Sequence, residues 1–336
     1  MTNLERLQNF GIRRLGTPKR GFRYQTADGG KVAAADLKRI KSLVIPPAWT
    51  SVAINPFASG AVQAVGQDAA GRWQYLYHEN QVKRREQKKF ERLLKFGRAL
   101  PEMRRIVARE LKRSDLGRER VMSSVLRILS TCFMRPGSEV YASENGSYGL
   151  ATLRRRHVTV RGDVIEFNFR GKSGIEQHRQ LKDRQVAKVV RALLKVPARE
   201  VFKYQNGNGA FVDVKRQHIN DYIKEVLGSH FSAKDFRTWA GTLVCACALA
   251  RAGADIPETK TGKKQRVVQA IKETAEVLGN TPAVCRSSYI SPCVLDNFEK
   301  GKVINSHFKT LEELLNFRSA KMHRAERALL RLLKSR

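Results

Sequence analysis

The spacing of apolar residues changes near residue 83, and this change limits the folds that the chain can adopt. Before that point, short apolar segments are separated by turn-forming residues, as at 28–30 (DGG) and 45–47 (IPP). Short apolar segments separated by turns are typical of a small β-rich domain. Within residues 71–78 (GRWQYLYH), aromatic side chains recur at every second position, which is the period of a strand. We therefore predict a β-rich N-terminal domain with a strand in this segment.

After residue 83, apolar residues recur three and four positions apart, which is the spacing of amphipathic helices. Three such stripes lie within 121–129, 186–194 and 219–227. Another stripe at 103–111 follows Pro101, a residue type favoured in a first helical turn, and predicts a helix that begins there. The second part of the chain is therefore predicted to be mostly helical.

One segment of the second part departs from helical spacing. Apolar residues alternate at 158–160 and again at 165–169, with a turn at 161–163 (RGD) between them. This pattern predicts a β-hairpin. The complete pattern predicts an α+β protein, with a small β-rich domain at residues 1–90 and a larger, mainly α-helical domain at 91–336 that contains the hairpin.

The charge of the chain predicts a polyanionic partner. The 336 residues include 64 Lys and Arg against 31 Asp and Glu, a net charge of +33. Because self-repulsion of this size disfavours a compact state, we expect a polyanion, with nucleic acid ahead of an acidic membrane. The longest apolar run, 243–250 (LVCACALA), is far shorter than the roughly 20 residues of a spanning helix. The N-terminus also lacks the apolar core of a signal peptide, so we expect a cytoplasmic, nucleoid-associated protein.

Two further patterns argue against common cofactors. Five cysteines in a chain of this length favour buried thiols over disulfides or a zinc site, so no metal is expected. Residues 171–173 (GKS) match the end of a phosphate-binding loop, but Glu166 stands where that loop requires glycine, so no ATP site is expected. Lys172 is left between two glycines at the end of a β-element. From the residues alone it is either a solvated turn lysine or one that reaches a bound partner.

Five separated segments, which together span almost the whole chain, resemble the type IB DNA topoisomerases of the compact poxvirus and bacterial branch. The segments are 71–78 (GRWQYLYH); 134–137 (MRPG) with 144–145 (EN) and 149–150 (GL); 170–174 (RGKSG); 234–238 (KDFRT); and 279–283 (GNTPA) with 288–290 (SYI). Each segment alone is weak evidence, but all five occur in the order of that family.

The resemblance implies a catalytic role for five residues. Tyr289 would attack a DNA phosphodiester, forming a 3′-phosphotyrosyl link and releasing a 5′-hydroxyl. Arg135 and Arg237 would hold the non-bridging phosphate oxygens, and Lys172 would protonate the leaving 5′-oxygen. Asn280 stands where many members carry histidine, and it would act as a neutral hydrogen-bond donor. From the residues alone, Asn280 could instead cap the helix that follows it.

The resemblance also implies a set of residues that bind DNA in its groove or along its backbone. These are Gln74, Tyr75, Tyr77, Arg85, Lys88, Tyr141, Glu144 and Lys234. The aromatic residues of the 71–78 strand could instead be a packed face. Likewise, the basic segment 318–336 is either a DNA-binding helix or a packed C-terminal helix with a solvated side.

The activity implied by the resemblance is relaxation of supercoiled DNA of both signs, through transient cleavage of one strand, strand rotation and religation. No ATP, metal or other cofactor would be required. The partner would be double-stranded DNA, enclosed by a monomer shaped as a C-shaped clamp. A tyrosine recombinase shares this chemistry, but recombinases usually carry histidine at the position of Lys234. A non-catalytic DNA-architectural protein is the alternative from another class.

Overall fold

The computed structural model describes residues 1–252 and 259–334. The chain forms two compact units, Met1–Lys89 and Phe90–Arg336. Within the described residues, no helix is both long and apolar enough to cross a membrane. In the same residues, no group of three or more His, Cys, Asp or Glu side chains is arranged to hold a metal ion.

The first unit is built on one five-stranded antiparallel sheet with the strand order β2-β1-β3-β4-β5. Its elements are α1 (Asn3–Phe10), β1 (Ile12–Thr17), β2 (Gly21–Gln25), α2 (Ala34–Ser42), β3 (Thr50–Ile54), β4 (Val62–Gln67) and β5 (Trp73–Tyr77). Leu7 of α1 and Ile40 of α2 belong to two separate apolar clusters, which contain alternating residues of the central strands. Both faces of the sheet are therefore buried, and β5, predicted from its aromatic period, is an edge strand.

Helix α3 (Glu79–Glu110) is much longer than the sequence predicted. Pro101 lies in its interior, so the prediction of a helix that begins at Pro101 was wrong. A proline there removes one backbone hydrogen bond, but the helix continues because residues such as Phe96 and Leu100 are buried along it. Gly97 is required for this packing, since an added Cβ would collide with the ring of Trp239.

The second unit is mostly helical and confirms the predicted α+β class. Its elements are α4 (Arg118–Cys132), α5 (Glu139–Glu144), β6 (Val158–Arg161), β7 (Val164–Arg170), β8 (Glu176–Lys182), α6 (Arg184–Lys195), β9 (Lys203–Gln205), β10 (Phe211–Asp213), α7 (Arg216–Leu227), α8 (Ala233–Arg251), α9 (Lys260–Leu278), α10 (Pro282–Ser288), α11 (Pro292–Glu299), α12 (Leu311–Asn316) and α13 (Arg324–Lys334). The three predicted stripes form α4, α6 and α7. Helix α8 is buried along almost its whole length and packs against α4, α7, α9, α11 and α13.

The predicted hairpin is confirmed as β6 and β7, but the sequence did not predict the third strand, β8, which pairs with β7. Strand β8 lacks an apolar period because its inward-facing positions include Gln177 and Arg179 as well as Leu181. Lys172 consequently lies in the turn between β7 and β8, rather than beyond an isolated hairpin.

The structure of the basic segment 318–336 favours a packed C-terminal helix with a solvated side over a DNA-binding helix. In α13, Leu329, Leu330 and Leu333 are buried, and the helix packs against α8 and α11. Its basic residues Arg327 and Arg331 are exposed on the opposite side. Residues 335 and 336 of this segment lie outside the described residues.

All five cysteines are buried, as expected for core thiols. Burial raises the pKa of Cys132 to about 12, and that of Cys247 and Cys285 to about 11. These thiols are therefore neutral at pH 7.

Helix α13 is attached to α3 by a buried ion pair, and we expect its loss to be costly. Arg104 donates to both carboxylate oxygens of Glu326, at 2.6 and 3.0 Å, and Glu326 is only 2% exposed. Because Glu326→Ala leaves the guanidinium without its partner, it should lower the free energy of unfolding by roughly 3 kcal/mol. Urea denaturation measures this change.

The matched control removes an exposed ion pair within helix α3. Arg105 and Glu102 pair at 2.5 Å, but more than half of each side chain is exposed. Glu102→Ala should therefore cost less than about 1 kcal/mol. Equal effects of the two substitutions would contradict the stabilising role of the buried pair.

Candidate active site

Tyr289, the predicted nucleophile, follows α10 and is fixed against α8. Its amide donates to the Cys285 carbonyl at 2.9 Å, and its own carbonyl accepts from the Thr242 hydroxyl at 3.2 Å. A Cβ added at Gly241 would lie 2.8 Å from the Tyr289 carbonyl oxygen and 3.0 Å from its Cβ. Glycine at 241 therefore allows the backbone of Tyr289 to approach α8 closely. The side chain of Tyr289 is half-buried.

Arg237 lies at the ends of two helices, next to this tyrosine. It projects from α8 with only 3% of its surface exposed, and its Nη2 donates to the Leu278 carbonyl at 2.8 Å. Its Nη1 donates to the Phe133 carbonyl. Leu278 ends α9 and Phe133 follows α4, so the guanidinium binds two helix C-termini, whose partial negative charge stabilises a cation. The third nitrogen, Nε, is buried and has no partner among the described residues.

The electrostatics of this pair favour ionisation of the phenol. Burial, aided by the neighbouring charge of Arg135, lowers the pKa of Arg237 to about 10, so the guanidinium remains protonated at pH 7. Its carbon lies 5.0 Å from the centroid of the Tyr289 ring. Burial by itself raises the pKa of Tyr289. The charge and hydrogen bond of Arg237, with the charges of Arg135 and Lys234, outweigh burial and lower that pKa below its ordinary value.

Arg135 lies in the loop after α4, and its position is set by a close backbone contact. The Leu150 amide donates to the Arg135 carbonyl at 2.9 Å. A Cβ added at Gly149 would lie 2.8 Å from that carbonyl oxygen and 2.6 Å from the Cα of Gly137. The 134–137 and 149–150 segments therefore pack directly against each other, and glycine at 137 and 149 allows this close approach.

Asn280 is held by the C-terminal turn of α9. Gly279 adopts a left-handed conformation with φ of 60°, and its amide donates to the Glu276 carbonyl, while the Asn280 amide donates to the Ala275 carbonyl. These two bonds define a Schellman motif. The side chain of Thr281 caps α10, so the alternative in which Asn280 is the cap was wrong.

The side chain of Asn280 has one occupied and one free end. Its Oδ1 accepts a hydrogen bond from Nη2 of Arg135. Its Nδ2 is buried and has no partner among the described residues. Because the arginine can only donate, this contact directs the amide nitrogen away from itself and leaves it available to an acceptor.

Lys172 is not joined to this cluster. It is exposed on the turn between β7 and β8, which is closed by the Gly171 amide donating to the Ile175 carbonyl at 2.8 Å. Within the described part of the chain, no side chain pairs with its ammonium group. The structure thus brings together Tyr289, Arg237, Arg135 and Asn280, and leaves Lys172 apart from them.

The predicted DNA contacts in the first unit lie on strand β5 (Gln74, Tyr75 and Tyr77) and on the N-terminal part of α3 (Arg85 and Lys88). The rings of Tyr75 and Tyr77 stack at 6.2 Å, and the guanidinium of Arg85 lies 3.9 Å from the Tyr77 ring. Tyr75 and Lys88 are exposed, whereas Tyr77 also packs on the apolar cluster of the sheet. Gln74 donates to Asp68 at 2.9 Å, so one of its donors is already engaged.

The remaining predicted DNA contacts belong to the second unit. Tyr141, which is 44% exposed, and Glu144 lie on the short helix α5. Lys234 is exposed in the first turn of α8, three residues before Arg237.

Sequence reasoning missed one arginine close to the cluster. Burial lowers the pKa of Arg179, and the positive charge of Arg135 acts in the same direction. Its charge also contributes to the lowered pKa of Arg237. Nη2 of Arg179 donates to Oε1 of Gln177 at 2.9 Å. Recognition of β8 as a strand would have placed both residues on its inward side.

Comparison with known proteins identifies the family. Residues 79–315 match the family described as eukaryotic DNA topoisomerase I, catalytic core, and residues 21–68 match the bacterial DNA topoisomerase IB N-terminal domain. The chain is 33% identical to DNA topoisomerase 1B of Acanthamoeba polyphaga mimivirus over 294 residues, which cover 86% of this chain and 88% of that one.

Relatives with lower sequence identity are also named DNA topoisomerases. DNA topoisomerase 1B of Vaccinia virus (strain Copenhagen) is 23% identical over 233 residues, covering 69% of this chain and 71% of its own. DNA topoisomerase 1 of Schizosaccharomyces pombe is 27% identical over 161 residues, covering 47% of this chain and 19% of its own. The family matches and the mimivirus relative together establish that this chain is an enzyme of the type IB DNA topoisomerase family.

Proposed function

We propose that this enzyme relaxes supercoiled duplex DNA by cutting one strand, allowing it to rotate and rejoining it. The observation that carries the proposal is the contact of the buried Arg237 guanidinium with the Tyr289 phenol, beside two buried donors that have no partner in the part of the chain that the structure describes. Family membership supports DNA as the substrate. A phosphodiester is the group that such a cluster of cations and amide donors would bind.

In the cleavage step, the Tyr289 oxygen attacks phosphorus and displaces the 5′-oxygen of the next nucleotide. The phenol loses its proton to water, and a lowered pKa makes that loss easier. One phosphorus–oxygen bond forms and one breaks, leaving a 3′-phosphotyrosyl ester and a 5′-hydroxyl. Because the ester conserves the energy of the broken bond, the 5′-hydroxyl can reverse the reaction without ATP.

The negative charge that develops on the non-bridging oxygens would be met by donors already in place. Nε of Arg237 and Nδ2 of Asn280 are buried without partners among residues 1–252 and 259–334, which costs about 1–3 kcal/mol each until an acceptor binds. Phosphate oxygens would satisfy both, and Arg135 would add a third donor and a positive charge. These arginines supply the charge stabilisation that metal ions provide in other phosphoryl-transfer enzymes.

Lys172 is proposed as the general acid that protonates the leaving 5′-oxygen. An alkoxide is a strong base and leaves poorly without a proton. The exposed ammonium of Lys172 has no partner among the described residues, so it is free to meet DNA.

DNA binding is proposed to involve both units of a monomer that closes around the duplex as a clamp. Each unit exposes predicted contacts, such as Tyr75 and Lys88 in the first and Tyr141 and Lys234 in the second. With a net charge of +33, phosphate contacts should dominate the affinity, which should fall steeply as salt is raised.

We expect the enzyme to relax a supercoiled plasmid that lacks any recombination site, in EDTA and without ATP. Agarose-gel electrophoresis of plasmids of either supercoil sign measures the activity. The Tyr289→Phe variant, which has no nucleophilic oxygen at this position, should relax neither plasmid. An inactive parent enzyme would favour a site-specific recombinase, and bound but uncleaved DNA would favour an architectural protein.

Asn280→Ala should slow cleavage by roughly 10²- to 10³-fold, as for loss of one transition-state donor. Single-turnover cleavage of a duplex oligonucleotide gives the rate. Asn316→Ala, which removes an exposed amide at the end of α12, is the matched control and should cleave at the parent rate. Parent-like cleavage by the Asn280→Ala variant would remove this residue from the mechanism.

Arg237→Gln should move the pH dependence of cleavage to higher pH, in addition to slowing it. The substitution removes the charge and hydrogen bond that lower the pKa of Tyr289, while burial continues to raise it. The rising limb of the pH–rate profile should therefore shift upward by about one pH unit or more. Arg324→Gln, at an exposed position of α13, should leave the limb unchanged. An unshifted limb in the Arg237 variant would contradict the role of this arginine in activating the phenol.

A further inference from the structure

The buried amide of Gln177 lies between two glycines that flank proposed catalytic residues. Gln177 is on β8, directly opposite Phe169 of β7, and only 7% of its surface is exposed. Gly171 precedes Lys172, and Gly279 precedes Asn280. The contact of Gln177 with both glycines therefore links the turn that carries Lys172 to the helix end that carries Asn280.

The contact on the lysine side leaves no room for a larger residue. A Cβ added at Gly171 would lie 2.8 Å from Cγ of Gln177 and 3.2 Å from the Ile175 carbonyl oxygen. The same turn is fixed from the other side, where the Ser147 hydroxyl donates to the Gly171 carbonyl at 3.1 Å. The base of the turn that carries Lys172 therefore rests on the Gln177 side chain.

The contact on the asparagine side is equally close. A Cβ added at Gly279 would lie 2.5 Å from Oε1 of Gln177, 2.8 Å from its Nε2 and 2.7 Å from Nη2 of Arg179. Gly279 is the left-handed residue of the Schellman motif that holds Asn280. The end of α9 thus packs directly on the amide of Gln177 and the guanidinium bonded to it.

We propose that Gln177, held by Arg179, is a positioning residue that sets the location of Lys172 relative to Asn280 and Arg135. The proposal rests on the proposed function, because it requires Lys172 to be the general acid. Gln177 itself is not expected to touch the scissile phosphate. It acts through the turn that carries the lysine.

An amide suits this position because both of its ends are engaged. Oε1 accepts from Arg179 at 2.9 Å, and Nε2 faces the Ile175 and Glu176 carbonyls at 3.5 and 3.3 Å. An apolar side chain would leave the Arg179 donor without this partner, and a shorter one would leave a gap between the turn and α9. We therefore expect Gln177→Ala to misplace Lys172 while Arg237 and Tyr289 keep their contacts.

A change of leaving group separates misplacement of the general acid from other defects. Replacing the bridging 5′-oxygen at the scissile bond by sulfur gives a thiolate leaving group. A thiol has a pKa of about 8.5, far below that of an alcohol, so a thiolate departs without a proton. A variant that is impaired only in proton donation should regain its rate on this substrate.

The experiment compares single-turnover cleavage of two duplexes, one with oxygen and one with sulfur, at a site mapped with the parent enzyme. Gln177→Ala should slow cleavage of the oxygen substrate roughly 10- to 100-fold, as expected for a displaced catalytic group. On the sulfur substrate it should cleave within about threefold of the parent rate, since that step needs no general acid. Gly171→Ala, which forces the Gln177 side chain to move without an unfavourable φ, should give the same pattern.

Controls separate this proposal from the proposed function. Gln180→Ala removes a glutamine from the exposed side of the same strand and should match the parent on both substrates. Lys172→Ala should be rescued by sulfur, and if it is not, the general-acid role fails and the proposal for Gln177 fails with it. If Lys172→Ala is rescued but Gln177→Ala is unimpaired, or equally slow on both substrates, the positioning role alone is overturned.

Discussion

The arrangement of the site depends on one buried cation, Arg237. Moving a guanidinium out of water costs several kcal/mol unless it finds compensating partners, and here these are the terminal carbonyls of α4 and α9. Arg135 follows Phe133 by two residues, and Asn280 follows Leu278 by two. The same bonds that stabilise the cation therefore bring the two helix ends together. The hydrogen bond from Arg135 to Asn280 joins the segments that follow these two helices.

This arrangement explains how the proposed mechanism would bring a small set of side chains to one phosphate. Arg237 helps to lower the pKa of the Tyr289 phenol, and it binds the backbone segments from which Arg135 and Asn280 project. Nδ2 of Asn280 and Nε of Arg237 are buried without partners within the described residues, which is an unfavourable state that a bound acceptor would relieve. The two unpaired donors therefore lower the stability of the folded protein, and phosphate binding is proposed to offset this cost.

The sequence predicted much of this structure, and the failures have identifiable causes. Apolar periodicity predicted α4, α6, α7 and the hairpin of β6 and β7, because each has a regular apolar face, and the alternating aromatic residues predicted β5, whose residues are only partly buried or exposed. Strand β8 was missed because Gln177 and Arg179 occupy inward positions that are usually apolar. Pro101 was misread because packing of the surrounding apolar residues outweighs one missing hydrogen bond. Motifs predicted Arg135, Arg237, Asn280 and Tyr289, which the structure brings together, and their catalytic roles stay predictions. The free end of Asn280 follows from a contact between residues 145 positions apart in the chain, which no local pattern reveals.

The net charge of +33 and the few cations of the site have different proposed roles. Most of the charge would bind phosphates without regard to sequence, and only Arg135, Arg237 and Lys172 would take part in the reaction. The most direct test is to stop a cleavage reaction with denaturant, digest the covalent complex and identify the modified peptide by mass spectrometry. We predict that the DNA is attached through its 3′-phosphate to Tyr289. Attachment to another residue, or through the 5′ end of the DNA, would contradict the proposed mechanism.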